Sequence, residues 1–400
     1  MKQFAFPVGS TSLDAASALY LEPDFIWLDS NKLHHPQSRY SYIVFNSSKP
    51  IELPTQTQND LPSFQGGYVG FKTYEGEDDF KFYHQVLSFD HHTGQGWFVT
   101  AAKGEAEAHK AYDDVCTKIR MARPVPEFTP YALDWRSNFT PTEYKAAVAD
   151  IIERILNGEI FQANLTQQFT AVKPQEFHGF AHYLNLRRMN PAPFSAYINF
   201  GDRQILSTSP ESFLSLSKDG RIVTRPIKGT DRDAGKLLSS LKDKAENTMI
   251  VDLLRNDLSQ ICTDESVVVN KLCELQSFAG LHHLVSEISG QLRPKIKPMD
   301  ALNACFPGGS ITGAPKIEAM KILAEIEGVP RDIYCGSIGW VGTDGAMDMN
   351  IAIRTLIVEQ DTMSFGVGGG ITALSDPESE YQETLLKADK IFQSFKAGGS

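Results

Sequence analysis

In the stretch TRPIKGT, residues 224–230, Pro226 and Ile227 precede Lys228, and Gly229 and Thr230 follow it. A lysine after an apolar strand ordinarily snorkels its ammonium to solvent, and this one raises the question of what a cation would do at the end of a strand bound for the interior. A second group lies in DPESEYQETLLKADK, where Glu380, Glu383 and Lys387 fall at i, i+3 and i+7 of a helix that Asp376 can cap and Pro377 can begin. That spacing places all three on one face, which is either a solvated charged stripe or part of a site. Glu246 stands among mostly apolar neighbours in a further helical stretch, AENTMIVDLLRND. Carboxylates from two helices, without His or Cys companions, suit a hard cation such as Mg²⁺ that retains waters and binds an anionic substrate.

Two glycine-bearing stretches could receive that anion. FPGGSITGAPK (306–316) leads into a helix with Pro315 near its start, so free N–H groups and the helix dipole point at whatever binds there. It is not a Walker A loop, because Ala314 and Pro315 stand where that motif needs Lys and Ser or Thr. A carboxylate therefore fits better than a nucleotide phosphate. VGGGIT (367–372) reads as an amide nest or an ordinary strand end. Arg354, in a strand of apolar alternation, either forks onto a carboxylate or forms a buried ion pair. The inventory is a substrate with more than one carboxylate, a divalent cation and an isolated lysine.

The 400 residues, 42% hydrophobic and 22% charged, are those of a globular protein with a sizeable core. A net charge of -11 without a basic run argues against nucleic acid as a partner. No apolar run reaches the ~20 residues of a membrane span, and MKQFAFPVGS lacks a signal-peptide core, so an untargeted cytoplasmic protein is expected. Five scattered cysteines without a CxxC pair read as reduced thiols rather than a disulfide or zinc framework.

A polar, proline-bearing stretch at 121–139 divides the chain into an N-terminal region (1–125), a linker (126–139) and a catalytic region (140–397). Helices are expected over TPTEYKAAVADIIERILNG, with Thr140 and Glu143 as a capping box, over 242–258 and over 314–328. EIFQANLTQQF alternates, with Phe161, Ala163 and Leu165 on a buried face and Gln162, Asn164 and Thr166 on a polar one. Short strands around 194–200, 203–208, 212–217 and 221–227 are spaced like an antiparallel meander. CGSIGWVG, MDMNIAIRTLIV and TMSFGVGGG read as later strands. The order of elements predicts an α+β fold with large antiparallel sheets.

Taken together, SPESFLSL, TRPIKGT, KDKAENTMIVDLLRND, LHHLVSEISG, FPGGSITGAPK, YCGSIGWVG, IAIRTL and GGGITALSDPESEYQET resemble the chorismate-utilising enzymes, which include the anthranilate, isochorismate and salicylate synthases. The resemblance covers roughly residues 140–395 and is looser before them. It implies a sandwich of two large antiparallel sheets with helices outside. It also implies that Glu246 and Glu383 are Mg²⁺ ligands, with Glu380 nearby. The metal would hold chorismate's ring carboxylate with help from Lys387 and the Gly368, Gly369 and Gly370 amides. Tyr334 and Arg354 would grip the enolpyruvyl carboxylate beside Ser310, with Thr230 and Gln162 also lining the substrate site. Glu211 would serve as general acid/base at the 4-hydroxyl, and His283 would be an active-site histidine of unassigned role.

Two positions separate members of the family. Isochorismate and salicylate synthases are similar to one another in carrying a lysine where this chain has Gln162, which has no basic lone pair to activate water. Anthranilate synthases typically carry alanine at Lys228. The PIKGT form instead resembles the members that aminate chorismate at C4, through a covalent lysine intermediate at C2, on the way to 4-aminobenzoate and folate. An anthranilate-forming large subunit of tryptophan biosynthesis is the alternative. No glutaminase motif is present, so ammonia is expected from a separate glutamine amidotransferase subunit, and a different protein would release 4-aminobenzoate. FIWLDSNKLHHPQSRY with PFS resembles a tryptophan pocket of some relatives, matched by Ser30, Gln37, Ser38, Arg39, Tyr40, Pro193, Phe194 and Ser195. WLDS departs there from the usual LLES.

Overall fold

β-Branched and aromatic runs throughout the chain pair into two extended antiparallel sheets, and the helical stretches cover their outer faces. The computed structural model describes residues 1–31, 35, 37–53, 57–231, 233–278 and 281–396, without the side chains of Thr230, Asp231, Phe278 and Leu281. Among the described residues one sheet has twelve strands and the other nine, all paired antiparallel. In the larger sheet, Phe25–Asp29 pairs with Phe194–Asn199, and Thr362–Ile371 pairs with Gln162–Val172. In the smaller, Gly67–Lys72 pairs with Ser337–Gly342, and Ile227–Asp231 pairs with Leu281–Gln291. Strands from before and after residues 126–139 therefore share both sheets. The faces meet in a core where Ile26, Ile198 and Ile357 of one sheet pack with Val69, Phe71 and Trp340 of the other. No described helix is long and apolar enough to cross a membrane.

Several elements form for the reasons expected. Thr140 and Glu143 close the capping box of the helix Pro141–Leu156, whose Tyr144, Val148 and Ile151 are buried. Asp376 accepts from Ser379 N at the start of Pro377–Ser394, with Pro377 in its first turn. Others differ. The strand Gln162–Val172 is buried on both faces: Ala163 and Leu165 meet the helix Pro141–Leu156, and Gln162, Asn164, Thr166 and Gln167 are also buried. Phe161 is 70% exposed, because the strand begins after it and its N–H is turned to Ala314 O at 2.7 Å. The stretch expected as a free linker packs down instead. Trp135 sits 5.1 and 5.4 Å from the Phe365 and Phe395 rings, and Arg136–Ser137 pairs with Gln162–Val172.

The expected meander is split between the sheets. Phe194–Asn199 and Gln204–Ser209 form a hairpin in the larger sheet, whereas Ser212–Leu216 and Arg221–Thr224 form one in the smaller. MDMNIAIRTLIV likewise breaks into Met347–Asn350 in the smaller sheet and Thr355–Val358 in the larger. Arg354 is therefore not in a strand. It occupies the crossing itself, with a left-handed φ of 52°. The two crossings lie side by side, tied by Ile351 N to Glu211 O at 3.0 Å and Thr208 N to Arg354 O at 3.1 Å.

One buried ion pair binds several of these elements. Arg331 and Glu327 are 4% and 6% exposed, and the guanidinium reaches Glu327 Oε1 at 2.6 Å and Oε2 at 2.8 Å. It also donates to Ile311 O at 2.8 Å and Asn164 O at 2.7 Å, while Thr166 N donates to Glu327 Oε1 at 3.0 Å. Removing one partner of such a pair leaves a buried charge uncompensated. Glu327→Ala should therefore cost about 3–5 kcal/mol, seen as a lower urea midpoint with an unchanged m-value.

Candidate active site

The backbone around Lys228 explains the glycine that follows it. Ile227 stands opposite Val285 and Lys228 opposite Leu284, but the register slips before Thr230 meets His283. Gly229 sits in that bulge with φ 74°, and a Cβ there would lie 2.8 Å from Leu237 Cδ1. Left-handed backbone and crowding both demand glycine, and a bulge re-aims the side chains beside it. Lys228 Nζ donates to Ser310 O at 3.2 Å, and Ser310 Oγ donates to Glu211 Oε1 at 2.8 Å. One serine thus links the amine to the carboxyl. Burial pushes the Glu211 carboxyl above its usual range, against the lowering effect of Lys228, the Ser310 hydrogen bond, Lys387 and Arg354. A proton held by a carboxyl beside an amine can be delivered to a leaving group.

Arg354 adds a cation at the same seam: it attracts Glu211 electrostatically and reaches Asn190 Oδ1 at 3.4 Å. The segment carrying Tyr334 is stitched to it by Cys335 N to Ala352 O at 2.8 Å and Ala352 N to Gly336 O at 2.9 Å. Tyr334 is buried with its ring over Gly366, where a Cβ would approach Cδ1 to 2.2 Å. Burial holds its phenol well above its usual pKa, so it is a neutral hydrogen-bonding group.

The carboxylates gather around the glycine strand. A methyl group on Gly369 would lie 3.5 Å from Glu380 Oε2, 3.7 Å from Glu383 Oε1 and 3.7 Å from Lys387 Nζ. On Gly370 it would lie 2.3 Å from Gln162 Nε2 and 3.9 Å from Glu246 Oε2. Glu246 comes from the helix Leu241–Ile261, on the smaller sheet, and the others from Pro377–Ser394, on the larger. Burial raises the Glu246 pKa, partly offset by Lys228 and Lys242. Burial also raises that of Glu383, but Lys387, bonded to Glu383 Oε1 at 2.7 Å, brings it below the usual value. Glu380 is 5% exposed and accepts from Ser375 Oγ at 2.7 Å, whereas the Glu383 and Lys387 side chains stay 48% and 42% exposed, so the face is withdrawn from solvent only at Glu380. Among the described residues no group of three or more His, Cys, Asp or Glu is drawn together closely enough to enclose a metal by itself.

The glycines do not form a nest. Gly368, Gly369 and Gly370 belong to the extended strand Thr362–Ile371, and none has a left-handed φ. Their role is to leave room, since a Cβ on Gly368 would strike Leu165 O at 2.4 Å. His283 lies opposite Thr230 and Gln276 on neighbouring strands. The side chain of Thr230 lies outside the described residues. All but one of the residues matched to a tryptophan pocket gather at a cavity whose lining does not include Lys228, Ser310 or Glu211. Ser30, Gln37, Arg39, Tyr40, Pro193, Phe194 and Ser195 line a cavity of about 870 Å³ with Tyr42, Trp340 and Asp348, whereas Ser38 is buried outside its lining. Sequence reasoning missed Lys242, whose Nζ lies 3.4 Å from Glu380 Oε1. Its position one helical turn before Glu246 was the available signal.

A family model described as chorismate binding enzyme matches residues 58–393. This chain belongs to that family. It is 39% identical to "Aminodeoxychorismate synthase component 1" of Salmonella typhimurium, covering 88% of this chain and 81% of that one. It is 36% identical to "Aminodeoxychorismate synthase" of Streptomyces pristinaespiralis over 83% of this chain, but spans about half (51%) of that longer relative. The crystal structure of anthranilate synthase component I from Streptococcus pneumoniae superposes with a TM-score of 0.76 at 31% identity, covering 97% of this chain and 92% of that one. The antiparallel α+β sandwich is thus the family fold.

The glycine strand offers a direct test of the cradle. Gly369→Ala meets only ordinary contacts and should change stability by less than about 0.5 kcal/mol, yet raise KM for the substrate. Gly368→Ala drives a methyl into a backbone carbonyl and should destabilise by roughly 1–3 kcal/mol. Thermal melts beside steady-state kinetics separate the two effects.

Proposed function

We propose that this chain is an aminodeoxychorismate synthase component 1, joining ammonia to chorismate to give 4-amino-4-deoxychorismate and water. The observation that carries this reading is the Lys228–Ser310–Glu211 chain, an amine and a raised carboxyl held on one residue. Lys228 Nζ, as the free amine, attacks C2. The ring electrons shift and expel the 4-hydroxyl, which takes the Glu211 proton and leaves as water. Ammonia then adds at C4, the electrons shift back, and the bond between C2 and Lys228 breaks. The surplus proton on the new ammonium returns to Glu211. Two displacements in sequence bring nitrogen to C4 rather than C2. Gln162, which cannot accept a proton from water, supports an amination over a hydration.

Glu246, Glu380 and Glu383 fit a Mg²⁺ that keeps most of its waters, because such an ion needs only one or two protein carboxylates. When bound it would neutralise the ring carboxylate of the substrate. Lys387 and the strand Gly368–Gly370, open at Gly369, would help orient that carboxylate, while Arg354 and Tyr334 would take the enolpyruvyl carboxylate. The ammonia would come from a separate cytoplasmic glutamine amidotransferase, in keeping with the "component 1" names of the relatives. The 870 Å³ cavity between the sheets, with Trp340, Tyr42 and Ser195 in its wall, would accept tryptophan. The 31% identity to an anthranilate synthase supports a second reading, elimination of pyruvate to anthranilate, which Lys228 opposes.

Incubation with chorismate, Mg²⁺ and ammonium, followed by chromatography with and without an added lyase, should give aminodeoxychorismate and not anthranilate. Lys228→Ala should slow that product at least about 10²-fold, and mass spectrometry of trapped wild type should find the adduct on Lys228. Full rate in the alanine variant would dismiss the nucleophile. The pH profile tests Glu211. The reaction uses its protonated form, so rate is lost as pH rises through its raised pKa. Ser310→Ala removes a hydrogen bond that lowers that pKa and should move the alkaline limb upward.

A further inference from the structure

Each glutamate of the cluster is answered by a lysine. Glu383 Oε1 is 2.7 Å from Lys387 Nζ, Glu380 Oε1 is 3.4 Å from Lys242 Nζ, and Glu246 is attracted first by Lys228 and then by Lys242. Two of these ammonium groups are also fastened to backbone: Lys387 donates to Gly368 O at 2.9 Å and Lys228 to Ser310 O at 3.2 Å. Lys242 differs. Among the described residues its one hydrogen bond goes to Glu380, and its side chain is 45% exposed, with solvent beside it.

Glu380 is buried, and a buried carboxylate needs a compensating charge at all times. A long, flexible lysine entering from the surface supplies one without a rigid frame. A divalent cation brings two charges to the same oxygens, and an ammonium held there would repel it. Lys387, although 42% exposed, is held by two short contacts and Lys228 by a backbone carbonyl, whereas Lys242 has a single contact at 3.4 Å and is the lysine freest to leave.

We propose that Lys242 is a displaceable counter-cation, which neutralises Glu380 and Glu246 while no metal is bound and swings to solvent as a divalent ion enters. The inference rests on the metal-binding reading above. It makes Lys242 a positioning residue that sets metal affinity by competition and keeps the cluster from collapsing or repelling itself between turnovers.

The test is Mn²⁺ titration of the full chain without chorismate, with free Mn²⁺ read by electron paramagnetic resonance, on wild type, Lys242→Gln, Lys242→Arg and Glu246→Gln. Lys242→Gln should bind Mn²⁺ at least about threefold more tightly, and its metal-free melting temperature should fall. Lys242→Arg, which keeps the charge, should stay near wild type. Affinity in Lys242→Gln that is unchanged or weaker would overturn the proposal while leaving the metal site intact. If wild type binds no Mn²⁺, or Glu246→Gln binds it undiminished, the metal reading itself fails and takes this proposal with it.

Discussion

The Arg331–Glu327 pair locks a corner of the larger sheet, where Gly313–Ala314 pairs with Gln162–Val172 and the chain returns at Arg331. Its guanidinium spends its donors on Glu327, Ile311 O and Asn164 O, and Glu327 in turn accepts from Thr166 N. The strand that carries Gln162 and the loop that carries Ser310 are thereby fixed to one point. A rigid fork with five donors suits this better than a lysine could, because each bond has a set direction. The pair contributes little net stability against two apolar residues, since both charges were taken out of water. What it provides is registry. Ser310 stands one residue from Ile311, and Ser310 is where the Lys228 amine and the Glu211 carboxyl meet.

The site lies where the chain changes sheets. Glu211 and Arg354 each occupy a crossing between the larger and smaller sheets, and backbone hydrogen bonds join the two crossings. Residues at such corners are not bound by the alternation of a strand, so their side chains can turn into the seam. Arg354 pays for this in backbone conformation, with a left-handed φ that a non-glycine residue adopts at a cost of about 1–2 kcal/mol. Gly229 provides the same freedom next to Lys228 without that strain. A strained residue and a bulge thus serve two positions with chemistry to do, Arg354 and Lys228.

Much of this was legible in the sequence, and the parts that were not have a common cause. Local signals worked: the capping box at Thr140 and Glu143, the Asp376 cap and the one-sided face of Glu380, Glu383 and Lys387 all act within one or two helical turns. The polar face of Gln162–Val172 was read as half-exposed because alternation reports polarity and not burial. Gln162, Asn164 and Thr166 are buried because the segments carrying Gly370, Thr312 and Glu327 lie against them. The meander was split, and Arg354 misplaced in a strand, because no local pattern says which sheet a short strand will join. Lys242 and Arg331 each have an acid one helical turn away, Glu246 and Glu327, but the partners that give them their place in the fold, Glu380 and Asn164, are 138 and 167 residues away.

Charge balance connects the site to the substrate it would take. Glu211, Glu246, Glu380 and Glu383 are faced by Lys228, Lys242, Lys387 and Arg354, four acids by four bases. A dianion alone would bring two charges with no counterpart, and a divalent cation alone would do the same with the opposite sign. Entering together they leave the count unchanged. That equality favours joint occupancy, most strongly beside the buried Glu380, where solvent screens least. It also lets Lys228 stay close to carboxylates in the empty site and act on a neutral ensemble in the filled one. The lysine's reactivity is then a property of the whole charge set rather than of the TRPIKGT stretch that first marks it.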